Sequence, residues 1–104
     1  MRIAEFQKRI EKIYYERDAK RGLSGTHMWF CEEVGELTRA LRRNQKHELE
    51  GEFADVLAWL STLASIAGID LEEAARRKYG DGCPRCKSTP CRCAMIGIAM
   101  QCQI

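Results

Sequence analysis

From Ile3 to about Arg21 the residues Ile3, Phe6, Ile10, Ile13 and Tyr14 recur at steps of three and four, with Lys8, Arg9, Glu11 and Lys12 between them. That is the period of an amphipathic helix. Gly22-Leu23-Ser24-Gly25 interrupts the pattern and can turn the chain, and Thr26 stands where an N-cap would open a second helix. This helix is expected to reach Arg43, with Phe30, Val34, Leu37 and Leu41 as its stripe. Arg39, Arg42 and Arg43 suit the negative end of its dipole. After a polar connection from Asn44 to His47, a third helix is predicted to about Ala67, with Leu49, Phe53, Val56, Leu57, Leu60, Leu63 and Ala64 as a wide buried face. Gly68 fits a helix stop, Asp70 a cap, and Glu73 the capping-box position of a short fourth helix ending near Tyr79. The predicted class is all-α, an antiparallel bundle of about four helices.

Gly80-Asp81-Gly82 marks a boundary, giving a helical domain over 1–79 and a Cys-rich tail over 80–104. The closing AMIGIAMQCQI is apolar without a decisive period. At 104 residues and 11.9 kDa the chain lies near the lower end of sizes that bury a comfortable core, so completion by oligomerisation is expected. Its 17 basic and 15 acidic residues give a formal charge of +2, too balanced to favour nucleic acid as a partner. The N-terminal stretch lacks the continuous apolar region of a signal peptide, and no stretch has the roughly 20 apolar residues needed to span a bilayer. A soluble cytoplasmic protein with no membrane partner is expected.

Two acidic clusters lie inside this apolar helical pattern: Glu32, Glu33 and Glu36, then Glu52 and Asp55. Residues three and four apart share a helix face, so each cluster aims its carboxylates one way. At a rise of about 1.5 Å per residue, and with the hairpin turning between Arg43 and Glu48, Glu36 and Asp55 each sit roughly 10 Å from the turn. Glu33 and Glu52 fall within about a helical turn of them, so the clusters can face each other. Carboxylates crowded in one interhelical pocket repel, and a divalent cation compensates them. Oxygen-only ligands favour Mg²⁺, with Mn²⁺ as substitute, and the chemistry implied is hydrolysis of a phosphoanhydride. EExxE alone is common on solvated helix faces; the pairing of two level clusters carries the weight.

EEVGEL, the step from Glu36 to Glu52, and EFADVLAWL followed by GIDLEEA closely resemble the MazG-like nucleoside triphosphate pyrophosphohydrolases, whose pattern is EExxE followed by ExxD. The resemblance covers about residues 3 to 79. It implies that Glu33, Glu36, Glu52 and Asp55 ligate Mg²⁺, with Glu32, Glu33 and Glu36 as the catalytic carboxylates and Glu32 assisting as a further ligand or by orienting water. It further implies cleavage of a nucleoside triphosphate between the α and β phosphates, in a homodimer or a homotetramer of helical bundles.

Trp29 and Trp59 flank the clusters and are candidates to stack on a base; a core or interface role is the alternative. His27 and His47 are read as exposed or hydrogen-bonded. Arg39, Arg42, Arg43, Lys46, Arg76, Arg77 and Lys78 are candidate phosphate contacts, and the resemblance prefers Lys78.

Six cysteines are unevenly placed, with five near the C-terminus and Cys31 alone. CPRCKSTPCRC puts Cys83, Cys86, Cys91 and Cys93 close enough to surround one tetrahedral Zn²⁺, and disulfides are the rival reading. Cys31 reads as a small buried residue, and Cys102 has no obvious partner. The leading reading is a Mg²⁺-dependent nucleotide pyrophosphohydrolase acting on canonical or damaged triphosphates. Its rival is a zinc-stabilised helical module that recognises protein or nucleic acid.

Overall fold

The computed structural model describes residues 1–94; the apolar closing segment and Cys102 lie outside the described residues. Among the described residues the chain is all-α, with α1 at Ile3–Arg43, α2 at Lys46–Ile66 and α3 at Leu71–Tyr79. It divides into two compact units, Met1–Leu71 and Glu72–Ile104. No single helix among the described residues is long and apolar enough to cross a membrane.

The first two expected helices are both present; they meet at a kink with no loop between them and are described together as α1. Only Gly22 leaves helical geometry, at φ 72° and ψ −177°, and helical hydrogen bonding resumes at once over residues 23–25. That combination is nearly exclusive to glycine. Thr26 is therefore inside the helix, not its cap. Its hydroxyl donates to the Gly22 carbonyl at 2.7 Å and accepts from Arg21 Nε at 3.0 Å, and Arg21 is also ion-paired with the buried Asp18. The bend does not reverse the chain. Gln7 lies beside Ser65 and Arg21 against Trp59, while Trp29 reaches Trp59 and Glu36 reaches Glu52, so both arms of α1 run antiparallel to α2.

The connection after α1 is shorter than expected. Asn44 takes a left-handed conformation (φ 53°, ψ 41°) and its N–H closes on the Ala40 carbonyl, after which Lys46 and His47 already belong to α2. Arg43 and Glu48 bridge the turn at 3.0 Å. At the far end Gly68 adopts φ 75°, and Gly68 N–H and Ile69 N–H bond to the carbonyls of Ser65 and Ala64. This is the Schellman termination that the glycine predicted.

Gln7 ties the ends together. Its amide donates to Ser65 Oγ at 3.1 Å and to the Ile69 carbonyl at 2.8 Å, while its carbonyl oxygen accepts from Leu71 N–H at 3.0 Å. A buried amide so satisfied stabilises the position of an irregular chain turn. The Glu73 carboxylate accepts from Arg76 Nε at 3.1 Å and Arg77 Nε at 2.9 Å.

The expected wide buried face of α2 is not buried in one chain. Ala64 is covered, but Phe53 is 55% exposed and Leu57 and Leu60 are also exposed. A helical hairpin covers each helix on one side only, so apolar positions facing outward find no partner within the chain.

Candidate active site

The acidic clusters meet between the second arm of α1 and α2. Carboxylate oxygens of Glu33, Glu36 and Glu52 all lie within 4.8 Å of one another. Three partly buried carboxylates at that spacing repel, and the structure carries the mark of it. Glu33 Oε2 and Glu52 Oε2 are buried without a hydrogen-bond partner, a costly condition for charged oxygens. Burial, followed by the charges of Glu36, Asp55, Glu52 and Glu32, pushes the Glu33 carboxyl up to about 7. Glu52 is raised as well, by desolvation first and then by Glu36, Asp55 and Glu48, with Arg39 opposing.

The short turn explains which residues converge. Beginning α2 at Lys46 slides it against α1 by about two residues, roughly 3 Å, relative to a turn ending at Glu48. Glu36 then stands level with Glu52 and Glu33 with Asp55, yet Asp55 is exposed and its carboxylate lies outside the three-carboxylate group. Asp55 stays near enough for its charge to raise both Glu33 and Glu52. Glu32 is exposed beside Glu33.

Asp55 borders a cavity of about 180 Å³ that also meets Tyr14, Arg17, Arg21 and Trp59. Trp59 is half-buried, stacked on Trp29 with ring centroids 5.9 Å apart and planes 12° from parallel, and the Arg21 guanidinium lies 4.6 Å from its ring centroid. Offset stacking and a cation over an indole both favour this arrangement. The two tryptophans singled out in the sequence are thus together, and Trp29 remains 47% exposed.

Arg17 and Arg21 were missed as site residues. They stand three and seven residues after Tyr14, hence on one helical face, and that spacing is the signal that could have found them. Their relevance depends on the bend at Gly22 bringing the first arm beside Trp59, which periodicity alone does not show.

Other candidates lie apart from the three carboxylates. His27 and His47 are exposed, His27 Nε2 being 3.7 Å from the Sγ of Cys31. Cys31 is exposed, contrary to the buried role expected of it, because its position on α1 faces away from α2. Arg39 and Arg43 flank an open groove with Glu36, Glu48 and Glu52. In the second unit Arg76 and Arg77 pair with Glu73, and the Lys78 ammonium lies 5.6 Å from the Tyr79 ring centroid.

Oxygen donors at this spacing, two of them buried and unpartnered, have the chemistry of a site for a hard divalent cation. The model of the MazG nucleotide pyrophosphohydrolase domain family matches residues 22–86. The match takes in both acidic clusters and extends beyond the helices to Cys86. No curated protein gives a significant match. With more than half of its length matched, both acidic clusters included, the chain belongs to the MazG nucleotide pyrophosphohydrolase domain family.

Proposed function

We propose that this protein hydrolyses nucleoside triphosphates, ribo or deoxy, to the monophosphate and pyrophosphate, with Mg²⁺ or Mn²⁺ held by Glu33, Glu36 and Glu52 and by Asp55 beside them. The observation that carries this reading is the pair of buried, unpartnered oxygens on Glu33 and Glu52 inside the three-carboxylate group. Neither oxygen has a hydrogen-bond partner among the described residues and Arg39 offsets the charge at Glu52 only in part, whereas a divalent cation would compensate both. When bound, such an ion neutralises phosphate charge and makes a coordinated water more acidic.

The protein's own groups then divide the remaining work. Glu32, exposed at the rim next to Glu33, orients the attacking water and receives its proton. The water oxygen bonds to the α phosphorus as the bond to the bridging oxygen breaks, and pyrophosphate departs. Arg39, on the groove beside Glu36 and Glu52, offsets charge on the departing phosphates. The cavity past Asp55 receives the nucleoside, its base lying against the Trp59 and Tyr14 rings. A site closed mainly by stacking distinguishes bases weakly, which suits removal of damaged triphosphates from the nucleotide pool. A second copy of the chain covers the outward apolar stripe of α2.

The test is pyrophosphate release with Mg²⁺ over a panel of canonical and oxidised or deaminated nucleotides. Wild type should release pyrophosphate with at least one of them. Glu36→Gln should lower kcat by about 10² or more, as expected when a ligand of the ion that would stabilise the developing charge is lost. Asp55→Asn should lower it less. Absence of activity across the panel, or activity that both variants retain in full, would overturn the proposal.

A further inference from the structure

The second unit holds a cluster that the hydrolase reading does not use. The Sγ atoms of Cys83, Cys86, Cys91 and Cys93 all lie within 4.8 Å of one another. Four thiolates about 2.3 Å from a tetrahedral ion stand roughly 3.8 Å apart, and the Cys83 and Cys93 sulfurs are 3.6 Å apart. A disulfide would bring them to about 2.05 Å. Sulfurs this close fit a single ion and leave no room for a multi-iron cluster.

The backbone is shaped around those sulfurs. Arg92 N–H donates to Cys86 Sγ at 3.2 Å and Cys93 N–H to Cys91 Sγ at 3.4 Å, contacts of the kind that orient metal ligands. The Cys83–Lys87 turn is closed by Lys87 N–H to the Cys83 carbonyl at 2.7 Å and Cys83 N–H to the Ser88 carbonyl at 2.9 Å. Lys87 takes a left-handed φ of 59° to make it. Four thiolates around a dication leave a formal charge of about −2, and Arg85, Lys87 and Arg92 are interleaved with the cysteines to offset it.

Packing does not account for this order. No residue of α3 is buried, and beyond it the buried described residue is Cys93, 1% exposed. A segment with so little apolar burial needs another source of folding free energy, and metal coordination supplies it in small domains.

We propose that Cys83, Cys86, Cys91 and Cys93 bind one Zn²⁺ in a closed, structural four-thiolate site that orders the segment after α3. All four positions of the tetrahedron are taken by protein, so the site serves folding and holds no water for catalysis. This inference does not depend on the hydrolase reading, and its readouts need no nucleotide.

The experiment uses the full chain purified under reducing conditions without chelator. Elemental analysis should find one zinc per chain, retained in Glu36→Gln and Cys31→Ser and lost in Cys86→Ser and Cys91→Ser. Cobalt added to the zinc-depleted wild type should give the intense visible bands of tetrahedral Co²⁺ and a thiolate-to-metal charge-transfer band. Trypsin should cut after Arg85, Lys87 and Arg92 only when zinc is removed, with helical circular dichroism largely kept. Iron in place of zinc, absence of metal with no cobalt spectrum, or equal zinc in the cysteine variants would each overturn the proposal. The wild-type cobalt spectrum decides it even if the cysteine variants do not fold.

Discussion

Glu33 sits where folding and chemistry oppose each other. Its carboxyl is pushed up to about 7 by burial and by four neighbouring acids, so in the metal-free protein the folded state holds its proton over a pH range where the unfolded chain has lost it. Stability must then fall as pH rises from about 4.5 to about 7, and stay low above it, because ionising the folded carboxyl is unfavourable. Melting curves in chelator from pH 4.5 to 8 should show that decline, and Glu33→Gln should flatten it and raise the melting temperature at pH 8. Mg²⁺ should stabilise wild type more than the variant, by mass action on a site that only the native carboxylates complete. A variant no more stable than wild type at pH 8 in chelator would remove this account of the cluster. Glu33 was legible in the sequence as a member of an acidic motif. The depth of its oxygen and the exposure of Asp55 were not, since both depend on how the side chains pack across the helix pair and not on spacing along the chain.

At the scale of elements, the apolar period marked the stretches that form α1 and α2, because side-chain spacing alone fixes which face is apolar, while α3 was read from its stop and cap signals. What it could not show was how they join. Gly22-Leu23-Ser24-Gly25 contains two glycines and reads as a turn, yet only Gly22 leaves helical geometry; Gly25 continues the helix, and Thr26 uses its hydroxyl on the Gly22 carbonyl rather than as a cap. Asn44 closes the other end with a left-handed residue, a conformation asparagine tolerates, so the turn needs no further polar residues from Lys46 or His47. Arg21 illustrates the cost of reading the bend as a turn. Its contacts with Asp18 and Trp59 come from the first arm alone, but its bond to Thr26 forms only because the chain re-enters helix directly after Gly22. Gly22→Ala puts a Cβ in open space but at a backbone geometry that disfavours any side chain, and should cost about 1–3 kcal/mol. Urea unfolding measures it. A loss below about 0.5 kcal/mol would mean that the bend relaxes without penalty, and Arg21 would then be free to leave Thr26.

For the whole molecule the decisive quantity is apolar surface without cover. Ile10, Ala40, Ala64 and Cys93 are the buried apolar residues among those described, too few to offset the conformational entropy of ordering helices of 41 and 21 residues. Phe53, Leu57 and Leu60 remain exposed on α2 at the spacing of a helix–helix seam, and Val34 and Leu41 do so on the opposing arm of α1. The proposed second copy would supply a matching stripe at the concentration of the chain itself, and symmetric pairing would close it without leaving an open end. Light scattering should therefore give a mass of at least twice 11.9 kDa, with a melting temperature that rises with protein concentration. Phe53→Glu with Leu60→Glu places charge in the seam and should lower both the mass and the melting temperature, while Lys8→Glu, a charge change on the exposed side of α1's first turns, should alter neither. A chain that stays at monomer mass and melts cooperatively at a temperature independent of concentration would show that the hairpin stands alone. The active site would then be complete in one copy, and the outward stripe would call for a different partner.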